Sequence, residues 1–312
     1  MILSKAPLRV SLFGGGSDIP THYLSYGGST VSMAIDKYVY VAIAKTPNKH
    51  IKLSYSQQEL VYNVDDIKND IVRNVLKYYG INGNIDISTF ADIPTVGSGL
   101  AGSSAFTCAL IVAMNHLQGK KMNEYQVAET ACYIEINMCK WNIGKQDQYA
   151  SAFGGMNYIK YEKSGDVTVH KMNSRDIEKN MILVPTNITR HAYDILSKID
   201  FYANMHLLSS LADIAHENYT IKPNAKYYGN ALNQSWQLKR NLEKSISNPE
   251  IDDIHNKCKD AGAYGSKLLG AGAGGYMLVM AENIFDIENK FQDRTCLTFN
   301  ISQDGAKVVY YD

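Results

Sequence analysis

Cysteine is scarce in this sequence, and the pairs that usually give it a structural role are absent. The five cysteines are scattered singly along 312 residues, with no C-x-x-C pair. Because zinc sites and disulfide frameworks need closely spaced or paired cysteines, neither is expected. The eight histidines form no H-x-x-x-H pair either. A chain of this kind fits a reducing compartment, so we expect a cytoplasmic protein.

A surplus of one charge and long apolar runs are also missing. Lys plus Arg and Asp plus Glu number 31 each, so the basic excess typical of proteins that bind nucleic acids or anionic membranes is absent. No apolar run approaches the ~20 residues of a membrane span, and the longest, around 105–114, indicates a buried helix. The first residues, MILSKAPLRVSLFG, lack the basic-then-apolar pattern of a signal peptide and predict a strand. We therefore expect neither nucleic acid nor a membrane as a partner.

Helical and strand patterns are both present, over a length suited to two domains. The expected fold class is α+β, with an N-terminal domain over 1–172 and a C-terminal domain over 173–312. Strands are predicted at Leu8–Phe13, Thr30–Met33, Tyr38–Thr46, Ile51–Tyr55, Asn84–Phe90, Met156–Tyr161, Val167–Lys171, Ser266–Leu269, Tyr276–Ala281, Cys296–Ile301 and Lys307–Tyr311. Helices are predicted at Asp65–Tyr79, Ser103–Leu117, Asn123–Lys140, Thr189–Tyr219, Ala225–Ser245 and Pro249–Ala261.

Three glycine-rich segments are the most informative feature that is present. They are 6–18 (APLRVSLFGGGSD), 93–104 (IPTVGSGLAGSS) and 267–275 (KLLGAGAGG). Glycine lets the backbone approach a ligand closely and point successive N–H groups at an anion, because no Cβ is in the way. The middle segment also opens the most apolar predicted helix. Together the segments predict a site built from distant parts of the chain around phosphate groups.

The middle segment allows several interpretations. Residues 97–102 formally match G-x-G-x-x-G, but the acidic residue that a dinucleotide site needs about twenty positions later is absent. A Walker A loop is excluded because no lysine–Ser/Thr pair follows the last glycine. The segment then predicts either a phosphate site at a helix N-terminus or an ordinary turn with a serine cap. The residues assigned to a nucleotide site are Pro94, Gly97, Ser98, Gly99, Leu100, Ala101, Gly102, Ser103 and Ser104.

Two carboxylates follow the middle segment. Glu135 lies on the apolar stripe of the helix predicted over Asn123–Lys140, where a carboxylate is costly unless it is paired or binds a cation. Asp147 lies in a predicted polar loop, GKQDQY. Phosphoryl transfer needs one carboxylate that holds Mg²⁺ and one near the acceptor hydroxyl. The alternative is that Glu135 turns towards solvent and Asp147 caps a turn.

At this point the sequence resembles the GHMP kinases. Residues 6–9 (APLR) resemble the family's A-P-x-[RK] segment, 94–105 resemble P-x-x-x-G-L-x-S-S-A, and 267–275 resemble K-x-x-G-A-G-x-G-G. The resemblance covers nearly the whole chain, and the segments GGGSD and GKQDQYASAFGG are most similar to the sugar-1-kinase branch. It implies a two-domain α+β fold with the active site in the cleft between the domains.

The resemblance implies a role for each matching position. Asp147 would be the catalytic carboxylate, Arg9 its cationic partner and Glu135 a ligand of Mg²⁺. A serine would be the second metal contact, placed at Ser103 by an ungapped alignment, which we prefer, and at Ser104 by a shift of one residue. The residues assigned to the sugar are Gly15, Gly16, Ser17, Asp18, Lys145, Arg190, Gly272 and Gly274.

The implied activity is phosphorylation of a sugar at its anomeric hydroxyl, with ATP and Mg²⁺. The preferred acceptor is D-glycero-D-manno-heptose 7-phosphate, whose phosphate needs a cation such as Lys145, Lys171 or Arg190. Each of these could instead be a solvated surface residue. Three alternatives remain: an unphosphorylated acceptor such as L-fucose, a relative that binds without turnover, and a dinucleotide oxidoreductase. A homodimer is left open.

Overall fold

The computed structural model describes residues 1–175, 177–189 and 195–312, which form mixed helices and sheets. The expected α+β class is therefore confirmed. The β-strands are β1 (Ile2–Phe13), β2 (Gly28–Lys45), β3 (Ile51–Ser54), β4 (Gln58–Val61), β5 (Ile85–Ala91), β6 (Met156–Tyr161), β7 (Val167–Met172), β8 (Met181–Pro185), β9 (Ala263–Leu268), β10 (Tyr276–Ala281) and β11 (Lys307–Tyr311). The α-helices are α1 (Pro20–Tyr26), α2 (Asp70–Tyr78), α3 (Gly102–Leu117), α4 (Glu124–Cys132), α5 (Gln146–Phe153), α6 (Met205–Thr220), α7 (Ala225–Arg240), α8 (Pro249–Asp260) and α9 (Ile284–Lys290).

The larger sheet is built around β1 and β2. Its strand order is β11-β1-β2-β5-β3-β4, and β6 pairs with β2 and with β7. We predicted two strands, Thr30–Met33 and Tyr38–Thr46, where the structure has the single strand β2. The start of β2 pairs with β6 and its end pairs with β5, while β1 pairs along most of it. A strand that changes partners along its length looks like two strands in the sequence.

The smaller sheet has the order β8-β10-β9 and packs with α7 and α8 around a second apolar core that includes Trp236. After it the chain returns to the larger sheet, where β11 pairs antiparallel with β1. The division at 172/173 stays a prediction, and residues 307–311 join the sheet of the N-terminal part. The strand predicted at Cys296–Ile301 is wrong, because this segment makes only isolated bridges at Leu297 and Ile301.

Asparagine begins many of the helices. Its side-chain oxygen accepts a hydrogen bond from a backbone N–H of the first turn, which satisfies a donor that the helix leaves free. The asparagines that cap helices α2, α4, α7, α8 and α9 in this way are Asn69, Asn123, Asn224, Asn248 and Asn283.

Two helices near the site differ from the prediction. The helix predicted over Asn123–Lys140 is α4 followed directly by a turn of π-helix, Tyr133–Met138. The segment predicted as a polar loop around Asp147 is the first turn of α5. Such a helix start is hard to recognise, because Lys145, the residue before it, makes no side-chain cap.

Other elements are shorter than predicted or were missed. The helix predicted from Asp65 begins at Asp70, after the 3₁₀ turn Val64–Asp66. Of the helix predicted over Thr189–Tyr219, the structure shows α6, while 190–194 lie outside the described residues. The short elements α1, β4, β8 and α9 had no clear pattern in the sequence. Within the described ranges, no helix is both long enough and apolar enough to span a membrane.

Candidate active site

The predicted catalytic pair is in contact. Arg9 is buried on β1, and its Nε and Nη2 atoms each lie 2.7 Å from Oδ1 of Asp147. Its Nη1 atom donates to the carbonyl oxygen of Gly99 at 2.7 Å. The side chain of Asp147 is 32% exposed, so it can still meet a ligand. One guanidinium therefore fixes the carboxylate relative to the middle glycine segment, with two of its nitrogens on the same carboxylate oxygen.

The middle glycine segment leads into the N-terminus of α3. Ala101 adopts a left-handed conformation with φ 63°, and α3 then starts at Gly102. The first N–H groups of a helix have no partner within it, so this end of α3 can bind an anion through those groups and the helix dipole. The alternative of a serine cap is wrong, because the N-cap residue of α3 is Ala101 and no side chain caps this helix. The free helix N-terminus fits the phosphate site, which stays a prediction.

The middle and third glycine segments touch through their backbones. Tyr276 N donates to Ser98 O at 3.1 Å. A Cβ added to Gly99 would lie 2.8 Å from Leu269 O, and one added to Gly270 would lie 2.5 Å from the Cα of Gly99. Glycine is required at both positions because no side chain fits between the two segments.

Gly272 and Gly274, which we assigned to the sugar, have a packing role in the structure. A Cβ on Gly272 would lie 2.9 Å from the Cγ2 of Ile246, and one on Gly274 would lie 2.4 Å from Ile188 O. These contacts explain glycine at both positions without a ligand. Their assignment to the substrate stays a prediction.

Glu135 is fully buried and holds three donors. Ser104 Oγ donates to its Oε2 at 2.8 Å, Thr107 Oγ1 donates to its Oε1 at 2.5 Å, and Gln148 Nε2 also donates to Oε2. Burial raises the pKa of this carboxyl from 4.5 to about 7, and the charge of Asp147 acts in the same direction, against the three hydrogen bonds. The alternative that Glu135 turns towards solvent is wrong.

The geometry also distinguishes the two serines. Ser103 is exposed, whereas Ser104 is buried against Glu135, so the structure favours Ser104 over our preference for Ser103. Sequence reasoning missed Thr107 and Gln148. Thr107 lies one helical turn after Ser104 on the same face of α3, and that spacing could have identified it.

The oxygen donors at Glu135 suit Mg²⁺. This ion binds hard oxygen ligands, commonly one or two carboxylates together with substrate phosphates and water. The carboxylate of Glu135 and the hydroxyl of Ser104 fit that description. In the described part of the chain no group of three or more His, Cys, Asp and Glu side chains could hold a metal. Phosphate oxygens and water would therefore complete the coordination.

Asp18 orders the first glycine segment against α5. Its Oδ1 accepts from Gly16 N and its Oδ2 accepts from Gln146 N, both at 2.9 Å. Burial raises the pKa of this carboxyl, and the charge of Asp147 adds to the effect. Ser17 Oγ donates to Gly14 O at 2.8 Å and closes the turn. The segment is therefore held beside the first turn of α5.

The structure shows none of the three cations predicted for an acceptor phosphate as an unpaired, described side chain beside the first glycine segment. Lys145 is only 12% exposed, and its Nζ is 3.0 Å from Oε1 of Glu129 and 5.9 Å from the ring centroid of Tyr23. Lys171 is exposed on β7. Arg190 lies outside the described residues. The structure therefore leaves the phosphate contact a prediction.

Gly144→Ala tests the role of Asp18. A Cβ at this position would lie 1.9 Å from Oδ2 of Asp18, so the carboxylate must move. We expect KM for the acceptor to rise at least about tenfold, with little change in nucleotide affinity, because we assign Asp18 to the acceptor. Gly165→Ala is the control for backbone strain outside the glycine segments, since its Cβ meets nothing within 4 Å while its φ of 96° is unfavourable for alanine. An unchanged acceptor KM in Gly144→Ala would contradict the role of Asp18.

The fold and these contacts are those of a small-molecule kinase that transfers a phosphoryl group to a hydroxyl. The GHMP kinases N terminal domain matches residues 67–155, and the GHMP kinases C terminal domain matches residues 211–294. The chain therefore belongs to the GHMP kinases, as the glycine segments predicted. Membership in this family also rules out the dinucleotide oxidoreductase that the G-x-G-x-x-G match had allowed.

Several known proteins are similar along most of the chain. D-glycero-alpha-D-manno-heptose 7-phosphate kinase of Campylobacter jejuni is 29% identical, over 90% of this chain and 89% of that protein. L-fucokinase/L-fucose-1-P guanylyltransferase of Bacteroides fragilis is 24% identical over 99% of this chain but only 37% of that protein. The crystal structure of a D-glycero-D-manno-heptose 1-phosphate kinase from Bacteroides thetaiotaomicron superposes with a TM-score of 0.80, at 22% identity and over 100% of both chains. This structural likeness supports the fold.

Proposed function

We propose that this protein is a cytoplasmic, ATP- and Mg²⁺-dependent kinase that phosphorylates a sugar at its anomeric hydroxyl. The proposed acceptor is D-glycero-D-manno-heptose 7-phosphate, converted to the 1,7-bisphosphate for activated heptose and surface polysaccharide. The observation that carries the proposal is the Arg9–Asp147 pair, in which Arg9 of the first glycine segment holds both Asp147 and the carbonyl oxygen of Gly99 in the middle segment. The similarity to a heptose 7-phosphate kinase supports the choice of acceptor.

Phosphoryl transfer requires little covalent chemistry from the protein, which mainly positions the reacting groups. The acceptor oxygen attacks the γ-phosphorus, the bond to the ADP oxygen breaks, and the acceptor's proton leaves to Asp147 or to water. Arg9 fixes the position of Asp147 through two contacts to its Oδ1, so the carboxylate can orient the acceptor hydroxyl. Glu135 and Ser104 would hold Mg²⁺, which neutralises charge on the phosphates.

A second acceptor class is favoured by one observation. The ammonium of Lys145 is already paired with Glu129, so it is poorly available to a substrate phosphate. An unphosphorylated sugar would need no such cation. A fucokinase-type enzyme is therefore the second candidate, and the similarity to the L-fucokinase of B. fragilis agrees with it.

An ATP-consumption assay over sugars and sugar phosphates, with products identified by phosphorus NMR, tests the proposal. The expected result is one acceptor class that gains a phosphate at the anomeric oxygen. The absence of ATP consumption with every sugar would contradict the proposed function and favour a relative that binds without turnover.

Removal of the distal phosphate from the acceptor separates the two candidates. If the heptose phosphate is the substrate, kcat/KM should fall at least about tenfold for each charge-assisted hydrogen bond that the phosphate had made, since ~1.4 kcal/mol corresponds to a factor of ten. Arg190→Ala should show a similar decrease with the phosphorylated acceptor and almost none without the phosphate. Lys160→Met, at a surface pair with Glu162, is the control. If L-fucose reacts more efficiently than any heptose phosphate, the first candidate is wrong.

A further inference from the structure

The buried lysine and arginine side chains of the described residues all lie in or beside the glycine segments. They are Arg9, Lys239 and Lys267, exposed to 4%, 8% and 4%. Arg9 has a carboxylate partner in Asp147. The two lysines are held by backbone carbonyl oxygens. A buried ammonium is costly unless an anion or a full set of acceptors compensates it, so two such lysines require an explanation.

Lys239, at the end of α7, holds the third glycine segment. Its Nζ donates to Leu268 O at 2.8 Å and to Gly270 O at 2.6 Å. Gly270 is the glycine that touches Gly99 of the middle segment. The ammonium therefore fixes the backbone where the second and third segments meet.

Lys267, at the start of the third segment, connects it to the first. Its Nζ donates to Ser11 O at 3.2 Å and to Leu12 O at 2.8 Å, at the end of β1. The Oγ of Ser11 in turn accepts a hydrogen bond from Nε2 of Gln146 at 2.9 Å, and the backbone N of Gln146 binds Asp18. The two lysines thus belong to one network of hydrogen bonds, which connects the glycine segments to Asp18, the residue that we assign to the acceptor.

The buried positive charges of Arg9, Lys239 and Lys267 repel each other. Burial lowers the pKa of Lys267 to about 7, and the charge of Arg9 adds to the effect. Burial, followed by the charges of Lys267 and Arg9, lowers the pKa of Lys239 well below its usual value. A polyphosphate bound at the glycine segments would supply the negative charge that would relieve this repulsion.

We propose that Lys239 and Lys267 are positioning residues for phosphoryl transfer, which fix the third glycine segment to β1 and supply buried positive charge that a bound nucleotide neutralises. This inference rests on the proposed function, because it requires a nucleotide polyphosphate at the glycine segments. It assigns the lysines no contact with the reacting atoms.

Lys239→Met and Lys267→Met test the proposal, since methionine keeps most of the length and removes the charge. We measure ADP affinity by calorimetry, the KM of the acceptor, and the thermal midpoint of the ligand-free protein. ADP affinity should fall at least about tenfold in each single variant. In the double variant the fold-loss should be smaller than the product of the two single losses, because the two lysines belong to one hydrogen-bond network. The ligand-free midpoint should change little, because removal of a buried charge offsets the loss of the hydrogen bonds to the carbonyl oxygens.

Lys257→Met is the matched control, because Lys257 is an exposed lysine on α8 paired with Asp253. It should leave ADP affinity and the midpoint unchanged. Lys239→Gln and Lys267→Gln keep a hydrogen-bond donor without the charge. If a methionine variant fails to fold, ADP affinity and the midpoint are measured on the glutamine variant instead. The glutamine variants too should bind ADP more weakly.

Two results would overturn the inference. One is wild-type affinity for ADP in the variants of Lys239 and Lys267. The other is a fall in midpoint that parallels the fall in ADP affinity across the four single variants of Lys239 and Lys267, which a purely structural role predicts. In both cases the wild-type protein still binds ADP and consumes ATP. If the wild-type protein does neither, the proposed function itself fails and takes the inference with it.

Discussion

Asp147→Asn should lower kcat by about a hundredfold or more and leave the affinity for ATP nearly unchanged. Asp147 contacts Arg9 and lies in the first turn of α5, and we assign it to the acceptor hydroxyl rather than to the nucleotide. Asparagine can still accept the hydrogen bond from Arg9, but it cannot take a proton or present a full negative charge to the acceptor hydroxyl. The measurement is steady-state kinetics with calorimetric titration of ATP.

The controls separate chemistry from folding. Because Arg9 is buried, the loss of its anionic partner also costs stability. A thermal melt of Asp147→Asn must therefore show a folded protein at the assay temperature. Asp253→Asn, at an exposed pair with Lys257, should have wild-type kcat. If Asp147→Asn turns over like wild type, Asp147 has no part in the mechanism.

The sequence predicted the site best where function requires a particular residue type. Glu135 was selected because a carboxylate is unusual on an apolar stripe, Asp147 as the second carboxylate that phosphoryl transfer needs, and Arg9 from the resemblance of its segment to A-P-x-[RK]. The structure places Arg9 against Asp147 and Glu135 beside Ser104. The glycine segments were recognisable because close backbone approach excludes any other residue, as at Gly99 and Gly270. Their catalytic roles stay predictions.

What the sequence could not predict depends on contacts between distant residues. The choice of Ser104 over Ser103 is decided by burial against Glu135, 31 residues further on. Lys267 binds the carbonyl of Ser11, 256 residues away, and its own segment carries no sign of that partner. The single strand β2 and the return of β11 to β1 likewise depend on partners that local patterns do not show.

Glu135→Gln should change stability and metal dependence in opposite directions. The carboxyl has its pKa raised from 4.5 to about 7, so the folded protein holds this proton more tightly than the unfolded chain does. The free energy of unfolding of the wild type therefore falls as pH rises through that window, by about 3 kcal/mol in all. Glutamine does not titrate, so the variant should lack this fall.

The difference in unfolding free energy between Glu135→Gln and wild type should thus shift by about 3 kcal/mol in favour of the variant between pH 4 and pH 8. Urea melts at several pH values without metal measure it, and comparison within each pH removes the constant effect of fitting an amide beside Ser104, Thr107 and Gln148. Glu250→Gln, at an exposed position on α8, should track the wild type at every pH. If the unfolding free energies of Glu135→Gln and of the wild type change in parallel with pH, the buried carboxyl is not costly.

The same variant tests why a costly carboxylate is present at all. If Glu135 holds Mg²⁺ with Ser104, Glu135→Gln should need at least about tenfold more Mg²⁺ for half-maximal rate and have a lower kcat, because an amide oxygen is a weaker ligand than a carboxylate. A variant that is more stable above pH 7 and poorer in metal use would show that the buried charge is retained for function. A Mg²⁺ titration that superimposes on that of the wild type would leave Glu135 with a structural role only, as the acceptor for three donors of α3 and α5.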